Sequence, residues 1–452
     1  MSVFKRLDFW LIVGFVLVFF LILPFVPISD GDTFYYISKA RRILNTGDLF
    51  NLNTLTTKPV LGMWAMALSL KIWGYNLFGV YFWHTLFSAG ILGLLYVFCQ
   101  KQFDKKTALY AVGILLTALM FFYQTASPML DMPMLFFLLL GQTLAFKYLK
   151  SWRSRYLYAL GLAAGLGFLT KGLLPAALPF MTGAIYLLWT RPKINFIKLI
   201  WQLILCFCIG AIVCSIWLIP QYKTYGADFS RALFSENIER FFHPIDETGG
   251  YREVSSDRQI DPHLNLLYLW LGFLPWSPLI IPAIHSAYKN KFWRKQPEII
   301  FLLCWFFLVL ILTSVSGHYK GPRYLLPLFA PLAVLCGIFL AKNKLKNYPR
   351  LICWSYWLTG LVFALLALVL PFIKYTHGEE VYRPVVLPFL IYFTICLFGS
   401  GWVFRKKNSP DFTIYSVLIS YIILFVCGAV FLPGLQFPEK YIDPHSHILR
   451  LR

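Results

Sequence analysis

The chain has 452 residues, 59% of them apolar and 13% charged, with a mean hydropathy of +0.65 and a net charge of +21. A soluble domain carries about a quarter charged residues, so this composition excludes one, and apolar runs of about 20 residues exclude the short alternating strands of a β-barrel. A charge of this size would suggest nucleic acid in a soluble protein, but its distribution along the chain points to membrane topology and no nucleic-acid partner.

Apolar runs predict an all-α polytopic membrane protein with about thirteen spans: 9–27, 77–99, 107–125, 132–149, 156–170, 173–190, 199–219, 264–284, 298–314, 325–341, 351–372, 384–404 and 412–432. With the N-terminus on the cytoplasmic side, one set of short loops holds about 23 of the 41 Lys and Arg. That face carries about +19 and the other about +2. The polar stretch 28–74 therefore lies outside the cytoplasm, as do 220–262 and a short tail, 433–452. All nine cysteines fall in apolar runs and no CxxC pair occurs, so neither a disulfide framework nor a cysteine metal site is expected.

Taken in order, the first run ends at Pro24–Pro27, and Asp30 and Asp32 follow directly. Residues 32–46 pattern as an amphipathic interfacial helix ended by Gly47, with Phe34, Tyr35, Ile37, Ile43 and Leu44 apolar and Lys39, Arg41 and Arg42 basic. A second such helix is predicted over 59–73, opening on Pro59 just after Lys58. Asp131 stands among Met and Leu in QTASPMLDMPM. An acid at a membrane boundary is costly to desolvate and needs a partner or a task. Lys171 is the basic residue in the turn between two spans, with no acid close in sequence, which suits an anionic ligand. In the long loop, Arg240 next to Phe241-Phe242 can fork onto a phosphate. The other charges there read as solvated surface, and His243 and His263 are too widely spaced to argue for a metal site. SVSGHYKGPRYLLP brings Arg323 and Tyr324 to the same face, where they can bind a lipid headgroup phosphate. No internal repeat, Walker motif or GxGxxG loop appears.

Three acids (Asp30, Asp32, Asp131) thus share a face with Lys58, Lys171, Arg240, Arg323 and Tyr324. Carboxylates beside phosphate-binding groups fit transfer of a sugar from a lipid phosphate: an Asp serves as general base, and cations hold the leaving phosphate. The Asp30-Gly31-Asp32 triplet also offers a DxD-like site for a divalent cation; no other cofactor is indicated.

The stretch LTTKPVLGMWAMALSLKIWG resembles the lipid-dependent GT-C glycosyltransferases of the aminoarabinose transferase type, whose pattern is roughly KPPLxYWxxALxxxLFG. Asp30 ahead of Ile37-Ser38, SPMLDMPMLFF, GFLTKGLLPAALP, ENIERFF and LGFLPWSP resemble further motifs of that family, in order over residues 28–335. Protein O-mannosyltransferases are more distant relatives. The resemblance implies a GT-C fold spanning 1–432 and transfer from a polyprenyl (undecaprenyl) phosphate sugar to lipid A or another envelope acceptor, on the periplasmic face of a bacterial inner membrane. It places Asp30 as base, Asp131 as second acid and Lys58 on the donor phosphate, helped by Arg240. Gly31 stands where the family has an acid, so Asp32 can substitute for it. A counterpart of the family's large soluble C-terminal domain is not expected, since about 20 residues follow the last predicted span. A protein acceptor is the alternative within this class, and a lipid transporter or flippase the alternative outside it.

Overall fold

The computed structural model describes residues 31–239 (194 excepted), 262–289, 296–315 and 322–342, with isolated positions elsewhere. Among the described residues the protein is all-helical. The elements are α1 (Gly31–Thr46), α2 (Leu61–Trp73), α3 (Leu77–Gln102), α4 (Lys105–Thr117), α5 (Leu119–Thr125), α6 (Asp131–Ser151), α7 (Ser154–Lys171), α8 (Leu173–Thr190), α9 (Phe196–Phe234), α10 (Pro262–Gly272), α11 (Ile280–Lys289), α12 (Pro297–Val315) and α13 (Phe329–Ala341). Six helices among the described residues are long and apolar enough to span a membrane, or up to eight if each of two bent pairs counts as one span. The expected spans 9–27, 351–372, 384–404 and 412–432 lie largely outside the described residues, so the total of thirteen is not reproduced.

Polar residues set the helix starts where the sequence offers them. Asn76, Asp104 and Asn195 each accept a hydrogen bond from the backbone N–H three residues on, opening α3, α4 and α9. The second amphipathic helix starts at Leu61, two residues later than expected, so Pro59 stands in the approach to α2. Loop 47–60 is pinned by Trp64 Nε1 on Leu49 O, Gln221 Nε2 on Phe50 O and Tyr225 OH on Leu52 O, at 2.6, 2.8 and 2.6 Å. Val60, Leu169, Trp217 and Phe229 form a small apolar cluster in the same region.

Two of the expected continuous spans are broken. Residues 107–125 divide into α4 and α5, bent by 69°, and 264–284 divides at residues 273–276, bent by 110°. Ala118 is extended at the first break. A helix break frees backbone groups that lipid cannot satisfy, and here the two breaks satisfy each other. Leu119 N–H donates to Leu274 O at 2.9 Å, and Trp276 Nε1 donates to Thr117 Oγ1 at 2.8 Å. The bend in the first pair carries the segment 126–131 to the end of the bundle where α1 lies.

The α7 and α9 helices approach closely. A Cβ added at Gly161 would stand 2.3 Å from Cys206 O, so the backbones touch as in small-residue membrane interfaces. Gly161→Ala is expected to destabilise the protein by at least about 1–3 kcal/mol, read as a lowered midpoint of thermal unfolding in detergent. Gly93→Ala, where an added Cβ meets nothing within 4 Å, should leave that midpoint unchanged.

Candidate active site at one end of the bundle

The α1 helix forms where the amphipathic pattern places it, but protein covers its apolar face. Tyr36, Ile37, Ala40 and Ile43 are buried in the main core with Met63 and Met66 of α2. Lys39, expected on a basic outer face, turns inward. Its Nζ donates to Thr54 Oγ1 at 2.6 Å and sits over the Tyr35 ring. Burial, helped by Arg42 nearby, pushes its ammonium below the usual lysine range.

Asp32, in the first turn of α1, accepts a hydrogen bond from Arg323 at 3.2 Å, and the same guanidinium reaches Met129 Sδ at 3.3 Å. Asp131 opens α6 and is almost fully buried, and Lys171 closes α7. Lys171 Nζ donates to Asp131 Oδ1 at 2.6 Å. An acid suits a helix N-terminus and a cation a C-terminus, so both helix ends reinforce this pair. The expectation of a lysine without a nearby acid is thereby corrected. The partner is 40 residues away in sequence and meets it only because α6 and α7 pack antiparallel. Lys171 also lies over the Tyr324 ring, 5.4 Å from its centroid. Burial first, then the Asp32 and Asp131 carboxylates, push the Tyr36 phenol far above the usual range, so it stays un-ionised.

Lys58 is paired as well, with Glu236 Oε1 at 2.5 Å. Sequence reasoning missed Glu236, which it placed with the solvated charges of the long loop. The chain reaches Lys58 because α9 bends at Gly226 and ends in a π turn over Ser235–Glu239. The next residue ties this turn to the Asp131 half of the site. Asn237 Oδ1 accepts from Leu173 N at 3.0 Å, against Gly172. Gly172 has φ +84°, and an added Cβ would stand 2.5 Å from Asn237 Oδ1, so only glycine fits this turn. The one advance signal for Glu236 was its place in ENIERFF, which gives no partner.

The structure therefore links Asp32, Arg323, Tyr324, Lys171 and Asp131 by successive contacts, sets a separate Lys58–Glu236 pair on the turn that Asn237 ties to Leu173, and adds Tyr36. Asp30 and Arg240 lie outside the described residues, and with Asp30 so does the Asp30/Asp32 cation site. Among the described residues, no group of three or more His, Cys, Asp or Glu is placed to hold a metal. Acids and cations at one end of a bundle of apolar helices can take a proton from one reactant and hold an anionic leaving group on another.

Residues 57–219 match the family model described as dolichyl-phosphate-mannose-protein mannosyltransferase. The chain is 26% identical over 459 aligned positions to the undecaprenyl phosphate-alpha-4-amino-4-deoxy-L-arabinose arabinosyl transferase of Wigglesworthia glossinidia brevipalpis, covering 95% of this chain and 75% of that one. It is 30% identical over 353 positions to the protein of the same description from Pseudomonas paraeruginosa, covering 76% of this chain and 60% of that one. Among solved structures, ArnT from Cupriavidus metallidurans bound to undecaprenyl phosphate is similar in fold, with a TM-score of 0.74 at 18% identity, covering 94% of this chain and 78% of that one.

Proposed function

We propose that this chain, which belongs to the GT-C superfamily of the aminoarabinose transferases and protein mannosyltransferases, moves a sugar from a polyprenyl phosphate, of the undecaprenyl type, to an envelope acceptor. The observation that carries the proposal is the set of three ion pairs, Arg323–Asp32, Lys171–Asp131 and Lys58–Glu236, at one end of a membrane helix bundle. The multi-pass protein sits in a bacterial inner membrane, with its N-terminus cytoplasmic and this end of the bundle periplasmic. Residues 1–432 form the transmembrane domain, 28–74 and 220–262 its periplasmic loops, and 433–452 a tail.

In the reaction, an acceptor oxygen attacks the anomeric carbon as the bond from that carbon to the phosphate oxygen breaks. Asp30 takes the acceptor proton. It directly precedes α1, and nearby Asp32 is already engaged by Arg323, which leaves Asp30 as the better base. The buried Asp131 charge stabilises positive character developing on the sugar ring. Lys58 takes the negative charge of the departing lipid phosphate, and Arg240, Arg323, Lys171 and Tyr324 line its site. The alternative use of Asp30 and Asp32, holding a divalent cation, would supply charge stabilisation and leave neither carboxylate free as the base.

Lipid A is the acceptor that the resemblance to the aminoarabinose transferases implies; the match to the mannosyltransferase family model keeps a protein acceptor as the second reading. The test supplies membranes carrying the protein with radiolabelled polyprenyl-phosphate sugars and, in parallel, lipid A or a polypeptide. Label is expected in lipid A, with Asp30→Asn reduced by about 10²–10⁴-fold and Asp32→Asn by much less. Undiminished transfer by Asp30→Asn would remove the base assignment, and label in the polypeptide alone would replace the acceptor.

A further inference from the structure

Lys39 plays no part in the reaction proposed above, and its placement is costly. It stands in the third turn of α1, among the residues that bury Tyr36, Ile37, Ala40 and Ile43, and is itself only 9% exposed. A lysine this deeply buried is ordinarily paired with an acid. Among the described residues no carboxylate stands within ion-pair distance of it. Asp48, the acid just beyond α1, is taken by the Leu52 N–H at 3.1 Å and by Arg42. The partner of Lys39 is instead a hydroxyl, Thr54 Oγ1, at 2.6 Å. A methionine would fill the volume of the lysine stem without burying a charge. The lysine therefore stands against the stability of the bundle, and departures of that kind concentrate at functional sites.

What the contact holds is the approach to Lys58. Loop 47–60 is fixed in two halves. The α2 and α9 helices hold the first half through the carbonyls of Leu49, Phe50 and Leu52. Among the described residues, the hydrogen bonds from other elements to residues 53–58 come from α1 and from Glu236. Lys39 holds Thr54, Tyr35 OH meets Thr56 Oγ1 at 3.4 Å, and Glu236 holds Lys58. Thr56 Oγ1 also accepts from the Lys58 backbone N–H at 3.2 Å, so the side chain that Tyr35 meets also sets the Lys58 backbone. Of the two ties from α1, the one from Tyr35 is long for a hydroxyl pair, and the charge-assisted bond from Lys39 is the strong one. Glu236 has to release Lys58 when a phosphate takes its place; the tie from α1 remains. Because α1 starts directly after Asp30, the same helix then sets both the base and the cation.

We infer that Lys39 is a positioning residue for Lys58: its bond to Thr54 fixes the loop so that the Lys58 ammonium meets the phosphate of the lipid donor. The inference rests on the proposed use of Lys58, and binding of radiolabelled undecaprenyl phosphate, without a sugar, to the purified full chain in lipid nanodiscs tests the two separately. Lys39→Met and Thr54→Val should each weaken binding by about 10-fold, while Thr54→Ser, which keeps the hydroxyl, should bind as the wild type does. In a Lys58→Ala background neither substitution should add more than about twofold, because both act through Lys58. Wild-type binding by Lys39→Met, or a loss that persists at full size in the Lys58→Ala background, would overturn the positioning role and leave the proposed function standing. Should Lys39→Met fail to fold, Thr54→Val against Thr54→Ser decides the matter, since Thr54 is exposed. A wild-type chain that binds no undecaprenyl phosphate would overturn this inference and the proposed function together. A wild-type chain that binds it but transfers no sugar would defeat the reaction alone, and the binding cycle would still decide the role of Lys39.

Discussion

Asp131→Asn should lower sugar transfer by about 10²–10⁴-fold and destabilise the protein at the same time. The two effects have different origins, and a second substitution separates them. Asp131 is 2% exposed and its partner Lys171 24%, so removing the carboxylate leaves a largely buried ammonium without its counter-charge. Breaking a buried pair costs about 3–5 kcal/mol. The lower end of that range applies to Asp131→Asn, because Lys171 keeps some contact with water. Lys171→Met should reach the upper end, since it strands the carboxylate, the more deeply buried partner. Asp131→Asn combined with Lys171→Met removes both charges and should recover most of the lost stability, as apolar replacement of buried pairs commonly does. It should recover no activity. Unfolding midpoints and transfer rates on the same four proteins test this. A double variant that regains transfer would show that Asp131 serves the fold alone.

Lys58→Ala should raise the donor KM by about 10–100-fold, the worth of a charge-assisted hydrogen bond to phosphate. In the structure Lys58 is held by Glu236, with both side chains partly exposed. A donor phosphate must compete with that carboxylate for the ammonium. Glu236→Gln removes the competing charge and keeps the shape of the π turn, so it should lower donor KM, opposite in sign to Lys58→Ala. A rise in donor KM with Glu236→Gln would mean that the carboxylate positions the lysine rather than competing for it.

The sequence made some of this site legible and hid the rest for identifiable reasons. The α1 helix could be read because its apolar period runs into Gly47, a local stop signal. Asp131 could be singled out because an acid at a membrane boundary is expensive wherever it sits. Its pairing with Lys171 could not be read, although both residues were named, because a helix packing brings them together across 40 positions. Lys58 and Glu236 are 178 positions apart, and in an exposed-looking loop an acid gives no local sign of its partner. The two broken spans were invisible for the same reason. Hydropathy runs smoothly through Thr117-Ala118-Leu119, and what permits the break is a backbone hydrogen bond from Leu119 N–H to the carbonyl of Leu274, far along the chain. Local signals fix where helices begin and end; long-range polar contacts decide where they bend and which charges meet.

The central claim is that the chain breaks the sugar–phosphate bond rather than moving the intact lipid. It is tested most directly by following both products at once, by mass spectrometry, in vesicles holding the purified protein, the polyprenyl-phosphate sugar and lipid A. Free polyprenyl phosphate and glycosylated lipid A should appear together in equal amounts and stop together in Asp131→Asn. Movement of intact donor across the bilayer, with neither product formed, would contradict the account and identify a transporter.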